Sequence, residues 1–325
     1  MKPGRRKFLH LAAGTVALPA ISRVAKAQTY PTRPVRMIVG FGAGGVTDVT
    51  ARIVAQWLSE RMGRAFVVEN RSGANTNIAT EVVVRSPADG YTLLVATSSN
   101  TVNATLYEKL NFNFIRDVAP IAGIVSNPGV IVVHPSFPSK TIPDLIAYAK
   151  ANPGKINMGA VGIGSSTHLF GELFKIMAGV DLTAVQYRDP GPAHTDLFAK
   201  HVDILFDPIV SSIEQIKAGQ VRALAVTSTT RLEALPGVPS VSDFVPGYEA
   251  NAWVGLGAPR NTPTEIIARL NSEINVALAD PKIKARFADL GATVLPGSPG
   301  EFRKFVADDT EKWGKVIRAA NIKAE

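Results

Sequence analysis

The chain of 325 residues contains no cysteine and only five histidines. The first absence excludes disulfides and thiolate metal sites, and it carries no penalty in an oxidising compartment. The histidines do not make up for it. His134, His168, His194 and His201 fall in no H-E-x-x-H arrangement, and none has metal-ligand spacing to another histidine or acid. Two further signatures are missing. No Gly-Lys-Ser/Thr follows either glycine-rich loop, so the lysine that would reach a nucleotide's phosphates is absent. Gly164-Ser165-Ser166 lacks the trailing glycine of a G-x-S-x-G nucleophile turn. Asp203 and Asp207 flank the strand-like ILF without forming a pair suited to general acid–base work. Long apolar runs are missing too. The apolar stretch near the N-terminus is short and interrupted by Gly14 and Pro19, and no later segment reaches membrane-spanning length.

What charge there is lies mainly at one end. Of the net +8, six positive charges sit in residues 1–27, on Lys2, Arg5, Arg6, Lys7, Arg23 and Lys26, with no acid among them, which leaves the remainder at +2. A nearly balanced surface offers no electrostatic footprint for nucleic acid. The same 27 residues read as an export signal: basic residues, an apolar stretch, then Ala25-Lys26-Ala27 as the cleavage site. Arg5-Arg6-Lys7-Phe8-Leu9 resembles a twin-arginine signal, although Gly4 and His10 depart from its usual flanks. A general secretory signal is the alternative. The expected location is the periplasm.

Strand-like and helix-like segments alternate through residues 28–325. VRMIVG precedes the helical VTDVTARIVAQWLSERMG, AFVVEN precedes NIATEVVVRS, and GYTLLVATS follows. This βαβαβ order predicts a parallel sheet covered by helices. A second series begins near IAGIVSNPGVIVVH. Its strands are INMGA, LTAVQY, VDILFD and VRALAVT, with helices between them. NAWVGLGAP then returns to a strand, and three helices close the chain. The expected division is 28–126 plus 250–325 for one domain and 127–249 for the other, with two crossings forming a paired hinge.

The stretch VGFGAGGVTD places Gly40, Gly42 and Gly45 on a G-x-G-x-x-G pattern between a strand and a helix, and Glu69 ends the next apolar run. That is the layout of a dinucleotide-binding unit. The physical property is more general. A helix start offers unpaired N–H groups and a positive dipole end, and glycine lets an anion approach the main chain. Gly162-Ile163-Gly164-Ser165-Ser166 repeats the arrangement in the second series. Thr47 and Asp48 put a carboxylate in the first turn of the first helix, which disfavours a pyrophosphate. Asp48 reads as a cap for nearby N–H groups or as a receiver of a ligand amine. Ser165 and Ser166 read as helix caps, and His168 as a packed second-turn residue.

With these residues in view, the chain resembles the Bug family of periplasmic solute receptors. The matching stretches include YPTRPVRMIVGFGAGGVTDVTAR, VVENRSGANTNIAT, ADGYTLLVATSSNTVN, MGAVGIGSSTHLFGELFK and VQYRDPGPAHTDLFAKHVDILFD. The resemblance implies an α/β, two-domain Venus-flytrap receptor that closes on a small carboxylate, with no enzymatic activity and no cofactor or metal. It implies an inner-membrane permease as partner, a monomeric state and no nucleic acid. By the same resemblance the ligand-binding set is Phe41, Ala43, Gly44, Thr47, Asp48, Asn75, Thr76, Ser98 and Asn103 on one jaw. On the other it is Asn127, Gly164, Ser165, Ser166, His168, Arg188, Ala193 and Asp207. Asp189, and Asn75 with Thr76, stand where the family commonly has glycines. The rival readings are a twin-arginine-exported dinucleotide oxidoreductase and a ligand sensor for a signalling kinase.

Overall fold

The computed structural model describes residues 30–324, so the export signal expected over 1–27 lies outside the described residues. The chain runs through β1 (Val35–Val39), α1 (Val46–Met62), β2 (Phe66–Asn70), a 3-10 turn (Ala74–Thr76), α2 (Asn77–Val84), β3 (Thr92–Thr97) and α3 (Ser98–Leu106). After α4 (Phe114–Asp117) come β4 (Val118–Val133), α5 (Ile142–Ala151), β5 (Asn157–Val161), α6 (Ser166–Ala178), β6 (Thr183–Tyr187) and α7 (Pro190–Phe198). Then follow β7 (Ile204–Pro208), α8 (Ile209–Lys217), β8 (Arg222–Val226), β9 (Asn251–Pro259), α9 (Thr264–Ala279), α10 (Pro281–Asp289), β10 (Thr293–Val294) and α11 (Pro299–Ala319).

The parallel pairing expected from the βαβ order holds within each series. β1 lies between β2 and β3, parallel to both, and β5 lies between β6 and β7, parallel to both. The strands that join the two series run the other way: β9 is antiparallel to β3, and β4 is antiparallel to β9, β7, β8 and β10. β4 is the shared element. Its first part pairs with β9 as far as Pro128, opposite Asn251, and from Gly129 it pairs with β7. Proline removes a ladder donor, so Pro128 is tolerated where the strand changes partners. One sheet, ordered β2-β1-β3-β9-β4-β7-β5-β6, thus carries two lobes.

Each lobe has its own apolar interior. Met37, Val39, Val54, Leu58, Leu93 and Val95 pack under α1 with Leu270, Ile274 and Phe287 of the later helices. Ile131, Met158, Phe170, Phe174, Phe206 and Tyr248 form the interior of the second lobe. α11 serves both. Its first turns put Phe302 and Val306 against Trp253 in the first lobe, while Trp313, Val316 and Ile317 pack in the second. Helix α3 spans the same boundary, with Val102 and Leu106 joining the second interior.

Local conformation brings the loops to the cleft between the lobes. α6 begins where Ser165 caps it, accepting from the His168 N–H at 3.4 Å, and ends at Gly179 in the left-handed region. At Gly40 a β-carbon would lie 2.6 Å from Thr76 Cβ, so glycine is what lets the β1–α1 turn close against the 74–76 turn. No helix among the described residues is long and apolar enough to cross a membrane.

Candidate functional site

A cavity of about 220 Å³ opens between the lobes at the point where β4 changes partners. Four helix starts line it. Val46 and Thr47 belong to α1, Ser98 and Ser99 to α3, Ser165 and Ser166 to α6, and Ile209 and Val210 to α8. Two come from each lobe. Neither Gly45 before α1 nor Pro208 before α8 supplies a side-chain cap to its helix. The first turns of these helices therefore present main-chain N–H groups without side-chain competition. An uncapped helix start of this kind contributes about 0.3–2 kcal/mol toward an anion, whereas α3 and α6 are already capped by Thr97 and Ser165. Among the described residues no charged side chain lines the cavity. The rest of the wall carries the polar Asn75, Thr97 and Asn127 and is otherwise apolar. Phe41, Pro128, Pro208, Ala252, Val254 and Leu290 line it, together with Trp253, whose indole N–H is already donated to Asp309 at 2.8 Å. Such a space accepts a small negative group joined to a hydrocarbon body.

Seven of the residues singled out in the sequence line this cavity: Phe41, Thr47, Asn75, Ser98, Asn127, Ser165 and Ser166. The others lie behind or away from it. Ala43 and Gly44 are exposed in the β1–α1 turn. Asp48 is buried beneath that turn. It accepts from the Gly44 amide at 2.9 Å, from Arg52 at 2.9 and 3.0 Å, and from Asn70 at 2.9 Å. Burial alone would raise its pKa, but the Arg52, Gly44 and Asn70 hydrogen bonds outweigh it and hold the carboxyl at about 2. Its lone pairs are spent on shaping the turn, as the capping reading expects.

The 74–76 turn is held from behind in the same way. Ala74, Asn75 and Thr76 all have positive φ without being glycine, a backbone cost of about 1 kcal/mol or more each. Asn103 pins this conformation. It accepts from Asn75 Nδ2 at 2.8 Å and donates to the Asn75 carbonyl at 2.5 Å and to Asn77 Oδ1 at 2.8 Å. Asn100 donates to Thr76 Oγ1 at 3.1 Å. Asn103 and Thr76 are thus buried supports for Asn75, which faces the cavity.

On the second lobe His168 Nδ1 accepts from the Gly164 amide at 3.2 Å, and burial lowers the pKa of its imidazole. Its neutral ring holds the α6 loop and does not line the cavity, in keeping with a packed second-turn residue. Gly164 lines a smaller chamber behind the cavity. Arg188 is exposed, as is Asp189, and Ala193, on the inner face of α7, is fully buried. The Asp207 carboxylate turns into the lobe, where it accepts from Ser212 Oγ at 2.5 Å and lies 3.0 Å from His194 Nε2. It ties α7 and α8 together just before Pro208 and Ile209 reach the cavity.

Sequence reasoning passed over Thr97, Pro208, Ile209, Val210, Ala252, Trp253, Val254, Leu290 and Gly291. The proline after Asp207 signalled a helix start there. Leu290 and Gly291 reach the cavity through packing between elements far apart in sequence, which leaves no local signal.

Glu69, the candidate ribose acid, does not line the cavity. Both carboxylate oxygens accept from Arg36, at 2.7 and 2.8 Å, and Arg71 stands 3.5 Å away. The hydrogen bond from Arg36 lowers its pKa. The acid that would hold a ribose is committed to the sheet edge.

Comparison with known proteins decides the family. The model of the tripartite tricarboxylate transporter family receptor matches residues 50–322. The chain belongs to this receptor family. Protein BugT of Bordetella pertussis is 35% identical over 311 residues, covering 95% of each chain. Among solved structures, Rpa4515 of R. palustris with adipate is 37% identical with a TM-score of 0.79, covering 90% of this chain and 99% of its own. MatC from Rhodopseudomonas palustris with bound malate is 29% identical with a TM-score of 0.74, covering 89% and 100%. The mixed α/β architecture of this receptor is therefore that of periplasmic solute-binding proteins, and its relatives are binding proteins.

Proposed function

We propose that this chain is a periplasmic receptor that captures a small carboxylate between its lobes and presents it to an inner-membrane permease. The observation that carries the reading is the convergence of four helix starts, two from each lobe, on a cavity without charged side chains. An anion held there gains from both lobes at once. It binds a closed arrangement better than an open one and shifts the balance toward closure. The moving bodies are residues 28–126 with 250–325, and 127–249, turning about β4 and β9. Ligands named for relatives, adipate and malate, support a carboxylate. The apolar wall favours an acid with a hydrocarbon or aromatic body. Residues 1–27 direct export, and the receptor works as a monomer.

The test is a thermal-shift panel of adipate, malate and aromatic acids with NAD as control, joined to native mass spectrometry of protein purified without added ligand. Ligand that binds only the native state raises the melting temperature. A rise with at least one acid and none with NAD is expected. A rise with NAD and with no acid overturns the reading. Delivery to a permease predicts that deleting the receptor gene abolishes uptake of the identified acid.

A further inference from the structure

Behind the main cavity, and sharing Ser98, Ser99 and Ser166 with it, lies a smaller chamber of about 10 Å³ closed off by Gly164, Phe170 and Trp313. That is room for roughly one water-sized oxygen. Trp313 is 1% exposed, and its ring stacks on Phe170 with centroids 5.9 Å apart. Its indole N–H has no hydrogen-bond partner among the described residues. Trp253, equally buried, donates to Asp309. Buried polar groups in native proteins are almost always paired, and an orphaned donor is costly. Trp313 lines this chamber. The other polar residues lining it are Ser98, Ser99 and Ser166, whose hydroxyls donate as readily as they accept.

We propose that an acceptor oxygen occupies the chamber, takes the Trp313 Nε1–H, and is shared with the serine hydroxyls that also face the ligand cavity. The oxygen belongs either to an ordered water or to a carboxylate of the bound acid; the acceptor chemistry is the same. The second source rests on the function proposed above, and the first does not. Ser98 and Ser99 come from the first lobe, Ser166 from the second, and Trp313 from α11, which packs on both. A filled chamber therefore ties both lobes and the terminal helix to whatever sits in the cavity, and it makes Trp313 a binding residue no glycine-loop reading would find.

Crystal structures of the wild-type protein with and without adipate decide the matter. An oxygen within about 3.2 Å of Trp313 Nε1 is expected. Present in both crystals it is water, and present only with adipate it is the acid's own. No oxygen at that position in either crystal overturns the proposal. Trp313→Phe removes the donor and keeps an aromatic ring, and it is expected to weaken adipate binding about 5- to 10-fold by calorimetry. Unchanged affinity removes Trp313 from binding. If the wild type fails to bind any acid, the proposed function falls, while the ligand-free crystal still decides the chamber.

Discussion

Gly164 of the second lobe lies directly against Leu106 of the first: a β-carbon at 164 would stand 2.5 Å from Leu106 Cδ2. Gly164 also has φ of +72°, which strains any other residue. Leu106 reaches across from α3 to pack in the second lobe's interior, so bulk added at 164 displaces the turn that opens α6 beside the cavity. Gly164→Ala is expected to weaken acid binding at least 10-fold. Small-angle scattering of the variant with adipate should stay close to the ligand-free profile. Adding Leu106→Ala removes the collision and should restore part of the affinity. Wild-type affinity in the single variant would show that the turn tolerates the added bulk.

The two serines at the start of α6 have separable roles. Ser165 accepts from the His168 amide, so Ser165→Ala loses a helix cap and should cost about 1 kcal/mol of stability. Ser166 follows the cap and lines both the cavity and the chamber. Ser166→Ala is expected to leave the melting temperature within about 1 °C of wild type and to weaken acid binding about 3- to 10-fold. Thermal denaturation and calorimetry on both variants check the split. Equal affinities for Ser166→Ala and wild type would take that hydroxyl out of the site.

The legibility of the fold follows from which residues carry a repeating pattern. α1 and α6 show apolar residues at helical spacing after a glycine turn, and β1, β3 and β5 are short apolar runs, so both were visible. α3, SSNTVNATL, is polar and lacks such a stripe; its face is chosen by the buried amides of Asn100 and Asn103, which meet the 74–77 turn. The full length of β4 was hidden by Asn127-Pro128, which reads locally as a turn and becomes strand only because β9 and β7 take over on either side of it. The two glycine loops were legible as anion-facing turns for a local reason, the helix start. The cavity's apolar wall was not, because Leu290, Ala252 and Pro208 meet only through the folded sheet. Pro208 lines the cavity while the carboxylate of the adjacent Asp207 turns inward, and Arg188 is exposed and does not line it.

Asp48 should mark the acid limb of stability. Its folded pKa of about 2 lies below the unfolded value of 3.8, so its contribution is present above the unfolded value and is lost as pH falls toward 2. The shift corresponds to about 2 kcal/mol at neutral pH. Asp48→Asn keeps the shape and removes the charge that holds Gly44 and Arg52. It is expected to lower stability by about 1–2 kcal/mol at pH 7, with the gap to wild type narrowing between about pH 4 and pH 2. Urea unfolding across that range measures it, and a gap independent of pH would assign the loss to packing instead.

His194 acts in the opposite sense. Its hydrogen bond to Asp207 raises its pKa, burial opposes this, and the charge of Asp207 adds to the rise. A raised folded pKa means stability that is fully present below the unfolded value, near 6.5, and that is lost as pH rises through the folded one. His194→Gln can still donate to Asp207 but cannot take up a proton. Its melting temperature is expected to vary less than that of the wild type between pH 6 and pH 8.5, the wild type being relatively more stable at the acid end. Because Asp207 sits just before the α8 start, acid binding should follow the same trend: the wild type loses affinity toward pH 8.5 more steeply than the variant. Parallel profiles for the two proteins would show that the proton on His194 does not reach the cavity through α8.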